Sequence, residues 1–329
     1  LSGVTSTLDQ HFRMVAKKID TDFGKNYAKK NILDIGSNDG TQLKHYKQLG
    51  WEVLGVESSV TTVEIAEENG IPTINAFFNL DCLDQINQEF SVINASGVFF
   101  HLEELHSVTK AVRKALRKGG VFVVQFLYVK SILQNDAFDQ IYHEHLLYYS
   151  LKTLGYLLEL HGLSIFDAEL TQTHGGQMLA FISHKGAYKK SERLKKLIEL
   201  ENISGCNEKY AYLEFQKRII KMKDENLKFL FDAQKKGKLV YGMGAPVKGN
   251  TLLNYFGIDS DLIKCLLEKN PLRKGLFSPG THIPVYLESE MGAADVYYVL
   301  AWNFKKEILE NNQRLIEQGA EFYFPVNVS

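Results

Sequence analysis

The sequence is poor in cysteine and has no excess of charge. Its three cysteines, Cys82, Cys206 and Cys265, lie far apart and form no CxxC pair. Neither a zinc module nor a disulfide framework is therefore indicated, which fits a reducing cytoplasm. With 38 basic and 39 acidic residues the formal net charge is -1, so no long-range field would hold a nucleic-acid backbone or an anionic membrane.

Long apolar runs are missing as well. No uninterrupted apolar stretch approaches the roughly 20 residues that a membrane span requires, and the N-terminus shows no signal-peptide pattern. Apolar residues make up 45% of the 329 residues and charged residues 23%, which allows the chain to bury sizeable cores. We expect a soluble cytoplasmic protein, a monomer or small homo-oligomer, with neither nucleic acid nor a membrane as partner.

Strand-like and helix-like segments alternate along the chain. They run from NILDI to VFVVQFL, and two further strand candidates, SIFDAEL and QMLAFISH, complete the same sheet. Helices between strands indicate a parallel, doubly wound sheet. A stretch rich in lysine and glutamate, with leucines at helical spacing, follows and predicts long amphipathic helices. After Gly237 the βα pattern restarts.

These patterns predict an α/β chain with two Rossmann-like domains. The predicted parts are a helical lead-in at 1–25, a doubly wound Rossmann-like domain at 26–186, a helical connector at 187–236, and a second, smaller Rossmann-like α/β domain at 237–329. The run DIGSNDG joins the first strand to the first helix. Open α/β sheets bind ligands at that edge.

The glycine turn favours one nucleoside cofactor over another. A dinucleotide fingerprint requires GxGxxG, whereas this turn has another glycine spacing and places Asp39 where a pyrophosphate would lie. S-adenosylmethionine (SAM) carries a sulfonium, an ammonium and one carboxylate, and tolerates that acidic side chain. We predict SAM as the cofactor, bound by Asp34, Gly36, Asn38, Asp39 and Gly40. A turn without any ligand is the plain alternative.

Two further features favour a nucleoside at this edge. Glu57 ends the second strand, where a carboxylate commonly accepts hydrogen bonds from both ribose hydroxyls. Phe77 and Phe78 could stack on an adenine ring, although core packing explains such a pair equally well. Glu57, Phe77 and Phe78 therefore join the predicted cofactor-binding residues.

The segment IYHEHLLYYS places proton-handling side chains in a row among apolar neighbours. Tyr142, His143, Glu144 and His145 would be costly to bury unless they were paired or used. A metal site built from the two histidines and a carboxylate is an alternative, but the HExxH spacing and a third ligand are missing. We therefore predict no metal.

With these motifs the chain resembles the SAM-dependent C-methyltransferases that act on nucleotide-linked deoxysugars. The resemblance rests on DIGSNDG, GVES, FDQIYHEHLLYYS, HGGQ, GAPVKGNTLLNY, PGTHIPV and LAWNF, and it extends from the first strand to residue 325. It implies that Tyr142, Glu144 and His145, together with His101 after the fourth strand, line the reaction centre.

The chemistry of that reaction suits these side chains. Removal of a hydrogen beside a sugar ketone needs a base with a pKa near neutral and donors to the enolate oxygen. We assign His145 as the base, with Tyr142, Glu144 and His101 in support. His143 would point away if the segment is extended, because alternate residues of a strand face opposite sides.

The resemblance implies that the second domain holds the nucleotide-linked sugar. Lys248, Asn250 and Thr251 stand at a predicted helix start and suit a phosphate group. The neighbouring GxG is incomplete as a dinucleotide fingerprint, although Glu268 at the end of the next strand keeps an NAD-like interpretation open. Arg273 is expected to be a solvated charge. The further substrate-binding candidates, for which turn formation is an equal alternative, are Gly175, Gly176, Gln177 and Asn303.

The chain departs from the family pattern in three places. Members carry a cysteine-rich zinc module upstream, which these cysteines cannot supply, and Leu1 to Leu8 resemble the linker that follows it. Ser96, which we place among the cofactor-binding residues, lies where the family tends to show asparagines. Gln125 stands where an acidic residue is common. These departures leave the sugar and the methylated position open.

Four functions are weighed against each other. The first is C-methylation of a nucleotide-linked 4-keto-deoxysugar at the carbon beside the ketone. O-methylation of a sugar or a related small molecule, an NAD-linked oxidoreductase using the second domain, and a catalytically silent binding subunit are the alternatives.

Overall fold

The computed structural model describes residues 6–171 and 176–326, which divide into two compact units. Unit 1 contains the described residues up to Val129 together with Leu146–Asn207, and unit 2 contains Lys130–His145 together with the described residues from Glu208 onward. The segment 130–145 thus groups with the C-terminal part of the chain, whereas the predicted boundaries place it inside the first domain. The predicted connector is divided between the two units.

Unit 1 is built on a single mixed sheet. Its strands are β1 (Asn31–Ile35), β2 (Glu52–Glu57), β3 (Thr73–Asn75), β4 (Phe90–Ser96), β5 (Leu116–Leu127), β6 (Leu163–Thr171) and β7 (Gln177–His184). They form a seven-stranded sheet in the order β3-β2-β1-β4-β5-β7-β6. Neighbours among the first five strands pair in parallel, and β7 pairs antiparallel with both β5 and β6. The reversal of order at β1 is that of a doubly wound sheet, as predicted.

The helices of unit 1 are α1 (Ser6–Asp22), α2 (Thr41–Gln48), α3 (Val60–Glu68), α4 (Leu105–Ala115), α6 (Leu151–Leu160) and α7 (Glu192–Ser204). Helix α5 (Val129–Gln134) begins where the chain leaves unit 1, and α5 and α8 (Lys209–Lys235) group with unit 2. Among the described helices, none combines the length and the apolar character that would let it cross a membrane.

The central strands of unit 1 are recognisable in sequence because they are buried. Every residue of β1 is buried, and so are the residues of β5 from Val121 to Leu127. Strands covered on both faces read as continuous apolar runs rather than alternating ones. Helix α1 packs Val15, Ala16 and Ile19 onto the same core. The short strand β3 was not predicted, since three residues carry no periodic pattern.

Unit 2 contains a second parallel sheet. Its strands and remaining helices are β8 (Val240–Met243), α9 (Val247–Phe256), β9 (Leu266–Glu268), β10 (Val285–Leu287), β11 (Val296–Val299), α10 (Lys305–Asn311), α11 (Gln313–Glu317) and β12 (Glu321–Tyr323). The five strands lie in the order β10-β9-β8-β11-β12, and all of them pair in parallel. The prediction of a second, smaller Rossmann-like α/β domain is therefore confirmed.

A buried carboxylate joins α7 to the start of α6. Glu201 is 1% exposed, and its oxygens accept hydrogen bonds from the Tyr128 hydroxyl at 2.8 Å and from the N–H groups of Leu151 and Lys152 at 2.7 and 3.0 Å. The side-chain amide of Asn207 donates a fourth bond at 3.1 Å. The first N–H groups of a helix have no partner within that helix, and a negative charge there is favourable.

We predict that Glu201→Gln lowers the free energy of unfolding by about 2 kcal/mol, because the amide replaces an acceptor by a donor that faces other donors. Calorimetric melting curves measure the loss. Glu199→Gln, on the exposed side of the same helix, is the control and should change the melting temperature little. Equal melting temperatures for the two variants would contradict the role assigned to Glu201.

Candidate active site

The predicted cofactor residues follow the carboxyl ends of parallel strands in unit 1. The glycine turn comes directly after β1, Glu57 is the last residue of β2, and Ser96 is the last residue of β4. The register pairs Ile35 with Val56 in the neighbouring strand. Because parallel strands end at the same edge of the sheet, these residues line one rim, where open α/β sheets bind ligands.

The turn after β1 has a conformation that few residues can adopt. Gly36, Asn38 and Gly40 have φ angles of 67°, 51° and 76°. A Cβ at Gly36 would lie 2.7 Å from a methyl carbon of Val98, so this position requires glycine for space as well as for its backbone angle. Asp39 accepts a hydrogen bond from the Thr41 hydroxyl at 2.7 Å and fixes the start of α2.

Glu57 is held in place by backbone donors of the turn and of the next loop. One carboxylate oxygen accepts from the N–H of Asn38 at 3.0 Å, and the other accepts from the N–H of Ser59 at 2.9 Å. A carboxylate offers about four lone-pair positions, so these two bonds leave acceptor capacity at the rim. The arrangement fits a ribose with two vicinal hydroxyl groups.

Asp34 lies beneath this turn in the sheet. Its carboxylate is 3% exposed and accepts a hydrogen bond from the Asn94 side chain at 2.6 Å. Burial raises the pKa of Asp34 to about 7, with the charge of Glu57 adding to the rise and the bond from Asn94 opposing it. A carboxyl group in this environment changes charge near neutral pH.

The two predicted stacking residues have different surroundings. Phe77 is 77% exposed, whereas Phe78 is 5% exposed and belongs to the core of unit 1. Phe78 therefore packs in the core, which was the alternative that the sequence left open. Phe77 stays a candidate for contact with an adenine ring. His101 follows β4, and its ring lies 4.5 Å from that of Phe100 between centroids.

The motif YHEH forms a tight turn in unit 2. The N–H of His145 donates to the carbonyl of Tyr142 at 3.0 Å, so the segment is not extended and strand alternation gives no reason for His143 to point away. His143 and Glu144 are exposed, while Tyr142 and His145 are partly buried. The turn brings the rings of Tyr142 and His145 to 4.1 Å between centroids.

The imidazole of His145 is oriented by its own backbone. Nδ1 lies 2.7 Å from the carbonyl oxygen of Gln140. A carbonyl oxygen only accepts hydrogen bonds, so Nδ1 carries a proton and the lone pair of the neutral ring is on Nε2. This is the tautomer in which Nε2 can take up a proton.

The glycine turn of unit 2 contains the predicted phosphate-binding residues. Lys248, Asn250 and Thr251 lie in the first turns of α9, and all three are partly buried. The ammonium of Lys248 is 3.7 Å from the ring centroid of Trp302. Asn303 follows Trp302, and its side-chain oxygen is buried with no hydrogen-bond partner among the described residues.

The sequence did not predict the hydrogen bonds of two charged residues in unit 2, Arg273 and Asp139. Arg273 keeps a side chain that is 40% exposed, but it is also paired, because its guanidinium donates to the Ala245 carbonyl at 2.6 Å and to Glu268 at 2.9 Å. Asp139 is buried and accepts a hydrogen bond from the Trp302 indole at 2.6 Å. The signal for Asp139 was a carboxylate that directly follows two apolar residues in the run AFDQI.

The remaining substrate candidates lie at the start of β7 in unit 1. Gln177 is 5% exposed, and its side-chain oxygen accepts from the amide of Gln125. Gly176 has a φ angle of 106°, which fits the turn-forming alternative. Gly175 lies outside the described residues. In the described parts of the chain, no cluster of three histidine, cysteine or acidic side chains could hold a metal ion.

The sequence matches two family profiles and one curated relative. Residues 8–167 match a family described as a methyltransferase domain, and residues 172–327 match the C-methyltransferase C-terminal domain. The C-methyltransferase NovU of Streptomyces niveus is 30% identical over 301 residues, which cover 90% of this chain and 72% of that protein. The chain belongs to the C-methyltransferase family.

Two solved methyltransferase structures match about half of this chain. The CcbJ methyltransferase of Streptomyces caelestis is 18% identical, with 53% of this chain and 94% of that chain covered and a TM-score of 0.42. A SAM-dependent methyltransferase of Clostridium acetobutylicum is 13% identical, with 56% and 94% covered and a TM-score of 0.42.

Family membership decides between the functions that the sequence left open. The prediction of a methyltransferase is confirmed, and the family transfers methyl groups to carbon. The glycine turn of the C-terminal part had left an NAD-linked oxidoreductase as an alternative function. Residues 172–327, which contain that turn, match the C-terminal domain of C-methyltransferases. The roles of the individual site residues stay predictions.

We predict that Asp34→Asn makes the melting temperature less dependent on pH. The pKa of Asp34 is about 7 in the folded chain against an ordinary value of 3.8, so its stabilising contribution is full below 3.8 and is lost as the pH rises to about 7. The melting temperature of the variant minus that of the wild type should therefore increase over this interval and then level off.

Thermal melts over a pH series without SAM test this prediction. Asp84→Asn, at an exposed position in the same unit, is the control and should show a difference that does not vary with pH. A constant difference for Asp34→Asn would show that the carboxyl group is ionised with its ordinary pKa.

Proposed function

We propose that this C-methyltransferase transfers a methyl group from SAM to the carbon beside the ketone of a nucleotide-linked 4-keto-deoxysugar. His145 is the base that removes the proton from that carbon. The observation that carries the proposal is the bond from Nδ1 of His145 to the Gln140 carbonyl. It selects the tautomer with a basic Nε2 before any substrate arrives.

The side chains around His145 match the needs of an enolate. Tyr142 lies against the imidazole within the same turn, and its hydroxyl can donate to the oxygen on which negative charge develops. Glu144 belongs to the same turn and is proposed to favour the imidazolium that forms on proton transfer. His101 of unit 1 is proposed as a second donor to the enolate oxygen.

The rim of unit 1 suits SAM. When bound, SAM supplies an electrophilic methyl group on a positively charged sulfur. Glu57 would accept hydrogen bonds from the ribose hydroxyls, and the exposed ring of Phe77 would stack on the adenine. Asp34 and Asp39 give the turn an acidic character that suits an ammonium and a sulfonium. Gly36, Asn38, Gly40 and Ser96 would form the remaining wall.

Unit 2 is proposed to hold the nucleotide part of the substrate. Lys248, Asn250 and Thr251 begin α9, where helix N–H groups and a cation favour a phosphate. Glu268 ends β9 beside a crevice of about 570 Å³ that is also lined by Lys269 and Leu287. Asn303 is proposed to contact the sugar, with Gly176, Gln177 and Gly175 as further candidates of unit 1.

We predict that the enzyme exchanges the proton beside the ketone in the absence of SAM. Nucleotide-linked 4-keto-6-deoxysugars incubated in heavy water should gain deuterium at that carbon, and the addition of SAM should convert them to products heavier by one CH₂ group. Mass spectrometry and NMR measure both changes. Methylated product without any exchange, or methylation of oxygen, would contradict the proposal.

Neighbouring histidines of one turn provide the matched control. His145→Gln should slow both exchange and methylation by about 10²- to 10⁴-fold, the usual contribution of a general base. His143→Gln removes an exposed imidazole two residues away and should leave both rates within about twofold. Equal effects of the two substitutions would exclude His145 as the base.

We predict that Glu57→Gln weakens SAM binding by roughly tenfold, since one carboxylate oxygen that accepts hydrogen bonds becomes an amide donor. Isothermal calorimetry with SAM measures the affinity. Glu64→Gln, at an exposed position in α3, should bind SAM as tightly as the wild type. A parallel titration with NADH should give no heat, and NADH binding without SAM binding would overturn the proposed cofactor.

A further inference from the structure

A buried cluster of opposite charges in unit 2 includes Asp139, which precedes the YHEH turn by a few residues in the chain. The Asp139 cluster consists of Asp139, Trp302 and Lys248. Asp139 is 0% exposed and Trp302 is 1% exposed. The indole N–H of Trp302 donates to Asp139 Oδ2 at 2.6 Å, while the ammonium of Lys248 lies over the face of the same ring. One aromatic ring thus separates a carboxylate at its edge from a cation on its face.

The geometry of this cluster strengthens its contacts. A carboxylate that accepts from the indole N–H pushes electron density into the ring, and the ring face then attracts the cation more strongly. Burial lowers the pKa of Lys248 to about 8, opposed by the charge of Asp139, and burial raises the pKa of Asp139, opposed by the charge of Lys248. Each charge therefore depends on the other, because a buried charge without its partner is costly.

Asp139 is connected to the proposed base through a very short piece of chain. It is the central residue of a 3-10 helix, Phe138–Gln140, and the carbonyl of the last residue, Gln140, holds Nδ1 of His145. A movement of the Asp139 backbone would therefore change the position of the oxygen that orients the imidazole. Phe138, the first residue of this helix, packs its ring against those of Tyr255 and Phe256.

Asp139 is not fully satisfied where it lies. Its second oxygen, Oδ1, is buried and accepts no well-aligned hydrogen bond in the described parts of the chain, although the backbone N–H groups of Asp139 and Gln140 act to lower the pKa of the carboxyl group. A carboxylate selected for stability alone would be expected to accept more bonds, as Glu201 does in unit 1. Incomplete satisfaction of a buried group is typical of residues kept for function.

We infer that Asp139 and Trp302 are positioning residues for His145, and that their hydrogen bond keeps the Gln140 carbonyl where it selects the Nδ1–H tautomer. Lys248 completes the cluster as the countercharge. The inference deepens the proposed function, because it gives the base named there a structural support. Its direct test concerns the tautomer of His145 and needs no substrate.

The decisive variant is Trp302→Phe, which removes the indole N–H and retains an aromatic ring. Histidine labelled with ¹⁵N reports the tautomer of each neutral ring by NMR at alkaline pH, and the His145 signal is assigned by its absence in His145→Gln. In the wild type His145 should be in the Nδ1–H form. In Trp302→Phe the ratio of the two tautomers should shift toward Nε2–H by roughly fivefold or more.

Tyr297→Phe is the matched control. It deletes another buried hydroxyl of unit 2, which accepts a hydrogen bond from the N–H of Ala294 at 3.2 Å, and it should lower the melting temperature without changing the His145 tautomer. Asp139→Asn keeps an acceptor for Trp302 and should preserve the Nδ1–H form, whereas Asp139→Ala should not. An unchanged tautomer in a folded Trp302→Phe protein would overturn the inference.

Turnover gives a second readout. With nucleotide-linked 4-keto-6-deoxysugars as probes, Trp302→Phe should lower kcat and the rate of deuterium exchange together, by roughly 10- to 100-fold, because a small displacement of the base has that cost. The KM for SAM should not change. If the wild type exchanges no proton but Trp302→Phe still shifts the His145 tautomer, the proposed function fails and the positioning role stands. If Trp302→Phe exchanges the proton and turns over as fast as the wild type, the positioning role is refuted.

Discussion

The hydrogen bond from the Trp302 indole to Asp139 joins residues that are 163 positions apart, and the organisation of unit 2 depends on it. Asp139 belongs to the segment 130–145, which leaves unit 1 after Val129 and returns to it at Leu146. The N–H of Val129 donates to the carbonyl of Tyr149, so the departing and returning chain lie side by side. Three sequence motifs that looked independent, FDQIYHEH, GAPVKGN and LAWNF, contribute one residue each to a single buried cluster.

Two of the buried carboxylates, Glu201 and Asp139, are stabilised in different ways. Glu201 accepts hydrogen bonds from two backbone N–H groups, a hydroxyl and an amide, which offsets the cost of removing its charge from water. Asp139 has one strong side-chain donor, the Trp302 indole, and the cation that balances its charge lies over the face of that ring. The first arrangement fixes the start of a helix. The second is more sensitive to small displacements, which suits a group that sets the position of another side chain.

The sequence predicted those elements whose pattern is local. Buried strands of both sheets were visible as apolar runs, and the glycine turn after β1 was visible from its residue types, because its φ angles exclude most side chains. The strand β3 was missed, since its stability comes from pairing with β2 rather than from its own three residues. Short strands of this kind are defined by their neighbours.

The candidate site was predictable in composition but not in geometry. Nothing in the order of residues shows that YHEH is a turn, that segment 130–145 groups with the C-terminal unit, or that Arg273 bonds Glu268. The grouping of segment 130–145 depends on partners that are distant in the chain, such as Trp302. The turn and the Arg273 bond join residues three and five positions apart, but the sequence does not give the backbone conformation that brings them together. The burial of Phe78 beside the exposed Phe77 is similar, since local sequence gives both residues the same expectation.

His145 is anchored through a different ring nitrogen from three other histidines of the protein. His11, His45 and His184 each form their hydrogen bond through Nε2, the ring nitrogen farther from the backbone, to Gln125, Asp9 and the Arg113 carbonyl respectively. His145 is anchored through Nδ1, the nearer nitrogen, to a carbonyl five residues before it. An imidazole bound in the first way uses its distal nitrogen to hold two elements together. One bound in the second way keeps a defined tautomer whose basic nitrogen is the one farther from its own backbone, and this is the arrangement that the proposed role of His145 uses.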